Sequence, residues 1–579
     1  MIARLTAALI VALYAVLGLV ALEPEAVYSG DIGVKYVQAQ ALVEHRFASL
    51  DIPYPGQILD PERLFFPMRP PFVMTAGGET QAIFPPASSV LQAAAVAVGG
   101  FRGMMALSIV AAAGVLVSAC ALAAPRYRLA VAIAVGLGGP LWFYAVSGWE
   151  HAPAVALGTA AFACAVRPRD LVRWPWLGCD GGGLMTGAGA SFAAGALLGA
   201  GATLRDEIVL LVPGLLLVLW LRTRAWRALA AALAGVMAPL VLAGAVEVWW
   251  FGRPPAAHVR HAVHILQSAF HITDEPNPEL PVLRPMSMRE RYDTVVTYWL
   301  FGRGTDPQVA AFVTALVAAL IIRWRWRSSL GILVWVLAFG ATSATDVWEV
   351  VTAPKWLAGL VRVSPFVVFA LLPYAARSRT GSGETADAPG GDRWLPAAVA
   401  VTTACYLIVA FAGVDTSGGK SLGPRLLLPL LPLLAVSSMM IVASYLRSRS
   451  PVDRLVGWAG AALVATAVVI HAAGTMPAYR QRNADDASAV LAAASSPERI
   501  VVADDMYTAQ LLFPLYDRKI VLLADTIDLG ERLGARLADA RLGGALLVSR
   551  NPEPAIGLPP LRVERTDQRG RMVVQRWRR

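Results

Sequence analysis

The chain carries little charge for its size. Asp, Glu, Lys and Arg make up 16% of its 579 residues, against roughly a quarter in an average soluble domain. In contrast, 56% of the residues are hydrophobic and the mean hydropathy is +0.56. A chain this apolar buries surface rather than staying disordered, and its 50 Gly and 39 Pro follow no collagen-like repeat. These features exclude a wholly soluble enzyme and indicate a protein that crosses the membrane many times.

Cysteine is also scarce, and no basic surface with interleaved aromatic residues is evident. None of the four cysteines belongs to a CxxC pair, so the sequence predicts neither a disulfide framework nor a zinc site. The formal net charge is +10, but the basic residues fall in short clusters between apolar runs. Because the orientation of membrane helices requires such clusters, we predict no nucleic-acid partner. The cysteines are Cys120, Cys164, Cys179 and Cys405, all in or beside apolar runs.

The basic clusters predict the membrane topology. Short loops rich in Lys and Arg stay in the cytoplasm, and each stretch between two clusters is long enough for two crossings. With the amino terminus inside, we expect a polytopic α-helical protein of about 13 transmembrane helices in a bacterial-type inner (plasma) membrane. The clusters lie at 126–128, 167–173, 222–227, 323–327, 377–379 and 447–454, and the predicted outer segments at 23–103, 148–151, 205–207, 251–307, 346–355, 414–423 and beyond 475.

Two segments depart from the pattern of simple spans. Residues 86–99 are apolar but number about 14, fewer than the roughly 20 that a bilayer requires, and they predict an interfacial or re-entrant helix opened by Pro85-Pro86. Beyond residue 476, short β-branched runs predict a small α/β unit with a partly parallel sheet. We therefore expect a membrane-embedded domain over 1–475, with a long first outer loop at 23–103, and an outer domain over 476–579. The predicted strands lie at 499–503, 519–523, 545–549 and 572–575.

Candidate functional groups lie at the predicted outer face. Asp31 follows the first span and is able to accept a proton from an attacking hydroxyl; alternatively Ser29 or Asp31 caps a helix, with Lys35 as the i,i+4 partner of Asp31. Glu150 and His151 share the next outer turn and are suited to bind a sugar hydroxyl, a metal ion or a proton, unless Trp149 merely anchors a polar helix start at the interface.

Cationic groups appear at the same face, against the positive-inside bias. Lys420 and Arg425 lie in a Gly-rich turn that opens a span, a pattern typical of a phosphate site, although such a turn also serves backbone geometry alone. Arg205 and Glu207 flank Asp206 between two apolar stretches, where they face either a cavity or one another.

Three histidines recur every three residues in the outer segment 251–307. The i,i+3 spacing places two imidazoles on one helix face, but the third drifts away and no carboxylate sits at ligand spacing. A solvated loop helix, or contacts to the acceptor, explains His258, His261 and His264 better than a metal site.

The motifs together resemble the GT-C superfamily of integral-membrane glycosyltransferases, in particular the polyprenyl-phosphate-sugar users related to protein O-mannosyltransferases and the aminoarabinose transferase of lipid A. The resemblance covers residues 1 to about 475. It rests on Ser29-Gly-Asp31, Phe84-Pro85-Pro86, Trp149-Glu150-His151, Arg205 with Glu207, and the run from Gly418 to Arg425.

The resemblance implies a role for each group. Asp31 would be the catalytic base, supported by Lys35 and Tyr36; Glu150 and His151 would form an acceptor or second acidic site. Lys420, Arg425 and Arg205 would bind the donor phosphate, with Glu207 in support. No cofactor is required with certainty, and a divalent metal is left open.

The implied activity is transfer of a single sugar, with inversion, from a polyprenyl-phosphate carrier to an envelope glycolipid, polysaccharide or protein. A transporter or flippase of lipid-linked sugars or small solutes is the main alternative, because it also needs polar groups among membrane helices. A ligase that moves a whole glycan from a pyrophosphate carrier is a third.

Overall fold

The computed structural model is predominantly helical and ends in a small mixed sheet. It describes residues 1–579 except 24–25, 28–29, 70–71, 77–78, 168–186, 253–285, 303–305, 356, 376–393, 414–424, 541 and 543. Within these ranges, eight helices are long and apolar enough to cross a membrane. The chain is therefore a polytopic α-helical membrane protein, as predicted from its composition; the count of 13 spans remains a prediction.

In the amino-terminal part, a structured segment lies between the first two candidate spans. Helix α1 (Ile2–Val16) continues through a π-helical turn to Ala21, and α2 (Gly30–Glu44) follows it. A short hairpin of β1 (Val73–Ala76) and β2 (Glu79–Ala82) precedes the long helix α3 (Pro86–Leu122). The first outer loop predicted at 23–103 thus contains a helix, a hairpin and the start of α3.

Helix α3 starts at the predicted Pro-Pro pair and is broken where the predicted short helix ends. Pro86 occupies its first position, where a fixed φ and a missing N–H are tolerated. The backbone then leaves helical geometry at Gly99 and Gly100, and Gly100 has φ +55° and ψ −142°, a conformation open almost only to glycine. Residues 86–99 therefore form a helical segment distinct from the span that follows.

The central helices differ in how much of their surface is buried. Helix α15 (Leu431–Leu446) is buried around nearly its whole circumference, as expected of a helix that is apolar on all sides. In contrast, α9 (Trp226–Trp249) exposes large apolar side chains such as Val241, Leu242 and Trp249, which are suited to contact lipid. The other helices of this part are α4 (Arg128–Gly136), α5 (Leu141–Val146), α6 (His151–Val166), α7 (Ala188–Leu204), α8 (Val212–Thr223), α10 (Met288–Tyr292), α11 (Asp306–Trp326), α12 (Leu330–Thr352), α13 (Leu360–Val363), α14 (Trp394–Gly413) and α16 (Pro451–Val469).

The C-terminal unit (residues 476–579) begins inside a continuous helical run. Helix α16 passes through a π-helical turn at Ile470–Thr475 directly into α17 (Met476–Ser495). A five-stranded sheet follows, made of β3 (Ile500–Ala503), β4 (Ile520–Leu523), β5 (Gly544–Ser549), β6 (Arg562–Arg569) and β7 (Met572–Arg578). The strand order is β4-β3-β5-β7-β6, with β3 parallel to β4 and β5 and the other pairs antiparallel. The predicted partly parallel sheet is confirmed. Helix α18 (Met506–Leu511) lies between β3 and β4, and helix α19 (Ile527–Asp539) lies between β4 and β5.

Several of the predicted cytoplasmic clusters contact one another at the helix ends away from α2. Arg447 donates a hydrogen bond of 3.3 Å to the Tyr127 hydroxyl, beside Arg126. Arg222 donates to the backbone oxygen of Ala165, and Arg323 lies 4.0 Å from Asp453. Residues assigned to one side of the membrane by charge thus meet at one end of the helices.

Candidate functional site

The candidate site forms where four element ends meet. Helix α2 places Asp31 in its first turn, where the helix N-terminus favours a carboxylate. A 3₁₀-helical turn (Arg425–Leu430) leading into α15 begins with Arg425, whose Nη1 lies 2.5 Å from Oδ2 of Asp31. The side chain of Asp31 is only 16% exposed and that of Arg425 only 20%. A base candidate and a phosphate-site candidate, 394 residues apart in sequence, are therefore directly paired.

A second set of ion pairs adjoins the first. Lys35, one turn after Asp31 on α2, donates from Nζ to Oε1 of Glu150 at 2.7 Å. Nη1 of Arg205 donates to the same oxygen at 2.8 Å, and Nε of Arg205 donates to Oε1 of Glu207 at 2.8 Å. Lys35 and Glu150 are 0% and 1% exposed. The result is a continuous Lys35–Glu150–Arg205–Glu207 chain of opposite charges.

The surroundings fix the charge states of Glu150 and Arg205. Burial alone raises the pKa of Glu150, but the Lys35 ammonium and the Arg205 guanidinium outweigh it and hold that pKa well below the ordinary glutamate value. Burial alone lowers the pKa of Arg205, and the carboxylates of Glu207 and Glu150 outweigh this effect and raise it. Glu150 is therefore ionised at neutral pH and acts as an acceptor of hydrogen bonds.

His151 completes the polar surface beside Glu150. Its Nδ1 lies 4.0 Å from Oε1 of Glu150, and its ring lies against those of Tyr144 and Trp149 with centroids 5.2 and 5.0 Å away. Among the described residues, neither ring nitrogen of His151 nor Oε2 of Glu150 has a hydrogen-bond partner. These buried atoms are the ones suited to receive hydroxyl groups of a ligand.

The structure brings most of the sequence-predicted groups together. Tyr36 packs edge-on against Phe101 at the break in α3, with ring centroids 5.5 Å apart. Lys420 lies outside the described residues, as do the Gly-rich part of its turn and His258, His261 and His264. No group of three or more metal-ligating side chains occurs in the described part of the chain. Asp31, Lys35, Glu150, His151, Arg205, Glu207 and Arg425 meet in one region.

Two further residues belong to the site, one of which gives no signal in the sequence. The ring of Phe84 lies over the Lys35 ammonium, with the nitrogen 4.0 Å from the ring centroid, which favours the cation. Tyr406 on α14 donates from its hydroxyl to the backbone oxygen of Leu426, next to Arg425. Because Tyr406 sits within an apolar span, hydropathy alone could not identify it.

Comparisons with known proteins give matches in structure alone. No protein-family model matches the chain, and no curated protein matches it in sequence. The chain is similar to a crystal structure of ArnT from Cupriavidus metallidurans bound to undecaprenyl phosphate, with 15% identity over 98% of this chain and 97% of that one, and a TM-score of 0.45. It is also similar to the archaeal oligosaccharyltransferase AglB from Archaeoglobus fulgidus in complex with an inhibitory peptide and a dolichol-phosphate, with 11% identity over 94% and 69% of the two chains and a TM-score of 0.37.

Proposed function

We propose that the protein is a glycosyltransferase that moves a single sugar from a polyprenyl-phosphate carrier to a cell-envelope acceptor at the outer face of the membrane. The observation that carries the proposal is the contact of 2.5 Å between Asp31 and Arg425. It puts a carboxylate able to act as a base beside a guanidinium able to hold a phosphate. The donor class is inferred from the motifs that resemble polyprenyl-phosphate-sugar users.

The proposed reaction follows from this pair. The carrier keeps its polyprenyl chain in the bilayer, and its phosphate competes with Asp31 for Arg425. The freed carboxylate of Asp31 accepts the proton of an acceptor hydroxyl. The acceptor oxygen then bonds to the anomeric carbon from the opposite side while the bond from that carbon to the phosphate oxygen breaks. Polyprenyl phosphate leaves, its charge offset by Arg425, and the configuration of the sugar inverts.

The Glu150 region is proposed to bind the sugar or the acceptor. Oε2 of Glu150 and the nitrogens of His151 are buried without partners in the described structure, whereas Lys35 and Arg205 hold Oε1. This arrangement fixes one carboxylate oxygen and leaves the other for a hydroxyl. Sugar recognition by a few fixed polar groups is typical of small-molecule sites.

We further propose that residues 1–475 form the catalytic membrane domain and residues 476–579 an extracytoplasmic domain of a bacterial-type inner-membrane protein. Contacts between the first outer loop and the sheet support a common side. The backbone N–H of Leu523 donates to the oxygen of Phe65 at 2.9 Å, and Arg69 lies 3.0 Å from Asp525.

The test is sugar transfer by the purified protein in lipid nanodiscs, with a panel of radiolabelled polyprenyl-phosphate sugars and an envelope extract. We expect Asp31→Asn to lower kcat by about 100- to 10,000-fold, the range that a general base contributes. Binding of the carrier phosphate should stay equal or become tighter, because Arg425 is released from its partner.

The matched control is Asp528→Asn, which changes another first-turn carboxylate, on the exposed face of helix α19, and it should behave as wild type. Normal turnover by Asp31→Asn would refute the role of the base. Movement of the donor across the bilayer without sugar release would favour the transporter or flippase. Turnover of a pyrophosphate carrier alone would favour the glycan ligase.

A further inference from the structure

Helix α2 is held from two sides. Asp31 and Lys35, one turn apart, contact Arg425 and Glu150 of the membrane part. Gly33 is two residues from Asp31 and from Lys35, about 200° round the helix axis. It therefore lies on the opposite face of α2, which contacts the C-terminal unit. An ideal Cβ at Gly33 would lie 2.3 Å from the backbone oxygen of Gln510 and 3.1 Å from Cδ2 of Phe513. The two backbones are thus closer here than any side chain other than hydrogen permits.

The backbone around Gln510 is held in place by its own contacts and cannot readily shift. Helix α18, which contains Gln510, directly follows strand β3 and is capped by Asp505, whose Oδ1 accepts from the N–H of Tyr507 and Thr508 at 2.8 and 3.0 Å. Gln510 and Phe513 are fully buried. Because the close atom is a backbone oxygen of a capped, buried helix, a methyl group at position 33 would displace α2 rather than its neighbour.

Further bonds tie the chain on both sides of α2 to the same unit. Before α2, the N–H of Glu23 donates to Oδ1 of Asn483 at 2.8 Å. After it, the hydroxyl of Tyr516 donates to the oxygen of Pro53 at 2.9 Å. The segment that carries Asp31 is therefore anchored to the C-terminal unit at its start, middle and end.

We propose that the C-terminal unit is the positioning element of Asp31, and that Gly33 is the positioning residue through which Gln510 sets the depth at which α2 meets Arg425. This inference rests on the proposed function and assigns a purpose to the C-terminal unit. The unit does not touch the reacting atoms; it acts by fixing the helix that presents the base.

The experiment compares wild type with Gly33→Ala in nanodiscs. We expect kcat to fall by about 10- to 100-fold, since displacement of a reacting group by about 1 Å costs up to a hundredfold, while the KM for the polyprenyl-phosphate sugar changes less than about twofold. Backbone amides over residues 30–44 should exchange hydrogen faster, and those of α15 should not change. The matched control is Gly244→Ala, because a Cβ at Gly244 on α9 meets nothing within 4 Å.

A milder variant guards against loss of folding. Tyr516→Phe removes only the bond to Pro53 and should lower kcat several-fold with the same local rise in exchange. Wild-type kcat and exchange in both variants would overturn the inference, as would a fall in kcat with faster exchange throughout the chain. If wild type transfers no sugar from any donor, the proposed function fails; faster exchange confined to residues 30–44 would then still support the anchoring of α2, and unchanged exchange would refute it.

Discussion

At the scale of single residues, Glu150 connects three parts of the chain. One of its oxygens receives hydrogen bonds from Lys35 on α2 and from Arg205 after α7, while its own backbone caps α6. A buried carboxylate with two cationic partners is stable only as long as both partners remain. Loss of Glu150 would leave Lys35, which is fully buried, without its counter-charge.

We predict that Glu150→Gln destabilises the folded protein by about 3–5 kcal/mol at neutral pH, the cost of breaking a buried ion pair. The folded-state pKa of Glu150 is lowered, so its contribution is complete above the unfolded-state pKa of about 4.3 and is lost as the pH falls from there toward the folded-state pKa. The apparent unfolding temperatures of wild type and variant should therefore differ by a constant amount above about pH 4.3 and converge as the pH falls below it.

Thermal unfolding in nanodiscs across this range checks the prediction. Glu531→Gln on the exposed face of α19 serves as the control and should match wild type at each pH. A difference between Glu150→Gln and wild type that grows on acidification would contradict the assigned charge state.

The sequence could predict which residues meet but not how they pair. Asp31, Glu150, Arg205 and Arg425 each end or begin an apolar run on one predicted face, so their convergence follows from topology. The local rule of i,i+4 pairing predicts an ion pair between Asp31 and Lys35. In the structure, Lys35 instead pairs with Glu150 and Asp31 with Arg425. Such choices depend on the tertiary packing of helices more than a hundred residues apart, which a sequence pattern does not contain.

At the scale of elements, the break in α3 separates the helical segment 86–99 from the span that follows. Gly100 adopts φ +55° and ψ −142°, where a side chain costs about 1–3 kcal/mol. Adjacent Gly99 has φ −148°, and a Cβ there meets nothing within 4 Å. A Cβ at Gly100 would lie 3.8 Å from the Tyr36 hydroxyl, an ordinary contact, so the two glycines differ mainly in backbone conformation.

We predict that Gly100→Ala lowers stability by about 1–3 kcal/mol and that Gly99→Ala leaves it nearly unchanged. The apparent unfolding temperature of each variant in nanodiscs measures the difference. Equal effects of the two substitutions would show that the backbone conformation at Gly100 is not what shapes the break.

In the C-terminal unit, strand prediction succeeded where strands are buried and failed where one is exposed. The runs that form β3, β4, β5 and β7 are apolar and largely buried. The prediction missed β6, whose sequence from Arg562 to Arg569 is charged and whose side chains are mostly exposed. An edge strand of this kind satisfies its backbone through β7 and needs no hydrophobic pattern, so periodicity could not reveal it.

At the scale of the whole molecule, two groups of loops lie at opposite ends of the helices. One contains the basic residues around Tyr127 and Arg323, and the other contains the candidate site and the C-terminal unit. The positive-inside rule assigns the first to the cytoplasm.

We predict that Asp528→Cys on α19 reacts with a membrane-impermeant maleimide in intact spheroplasts, whereas Arg325→Cys reacts only after permeabilisation. Wild type measures the background from the four native cysteines, of which Cys120 and Cys164 are buried, Cys405 is partly buried and Cys179 lies outside the described residues. Mass-tag labelling measures the outcome, and labelling of Arg325→Cys alone in intact spheroplasts would invert the proposed orientation.

The unbroken helical run from Pro451 to Ser495 joins the bilayer to the sheet. Its 45 residues extend about 67 Å along the helix axis at 1.5 Å per residue, more than twice the thickness of the hydrocarbon core of about 30 Å. A change in tilt of the part before Met476 would therefore be passed directly to α17 and the sheet. Thicker or thinner membranes change the tilt of such a helix. Bilayer composition would therefore shift the sheet and, through the contact of Gln510 with Gly33, the position of α2.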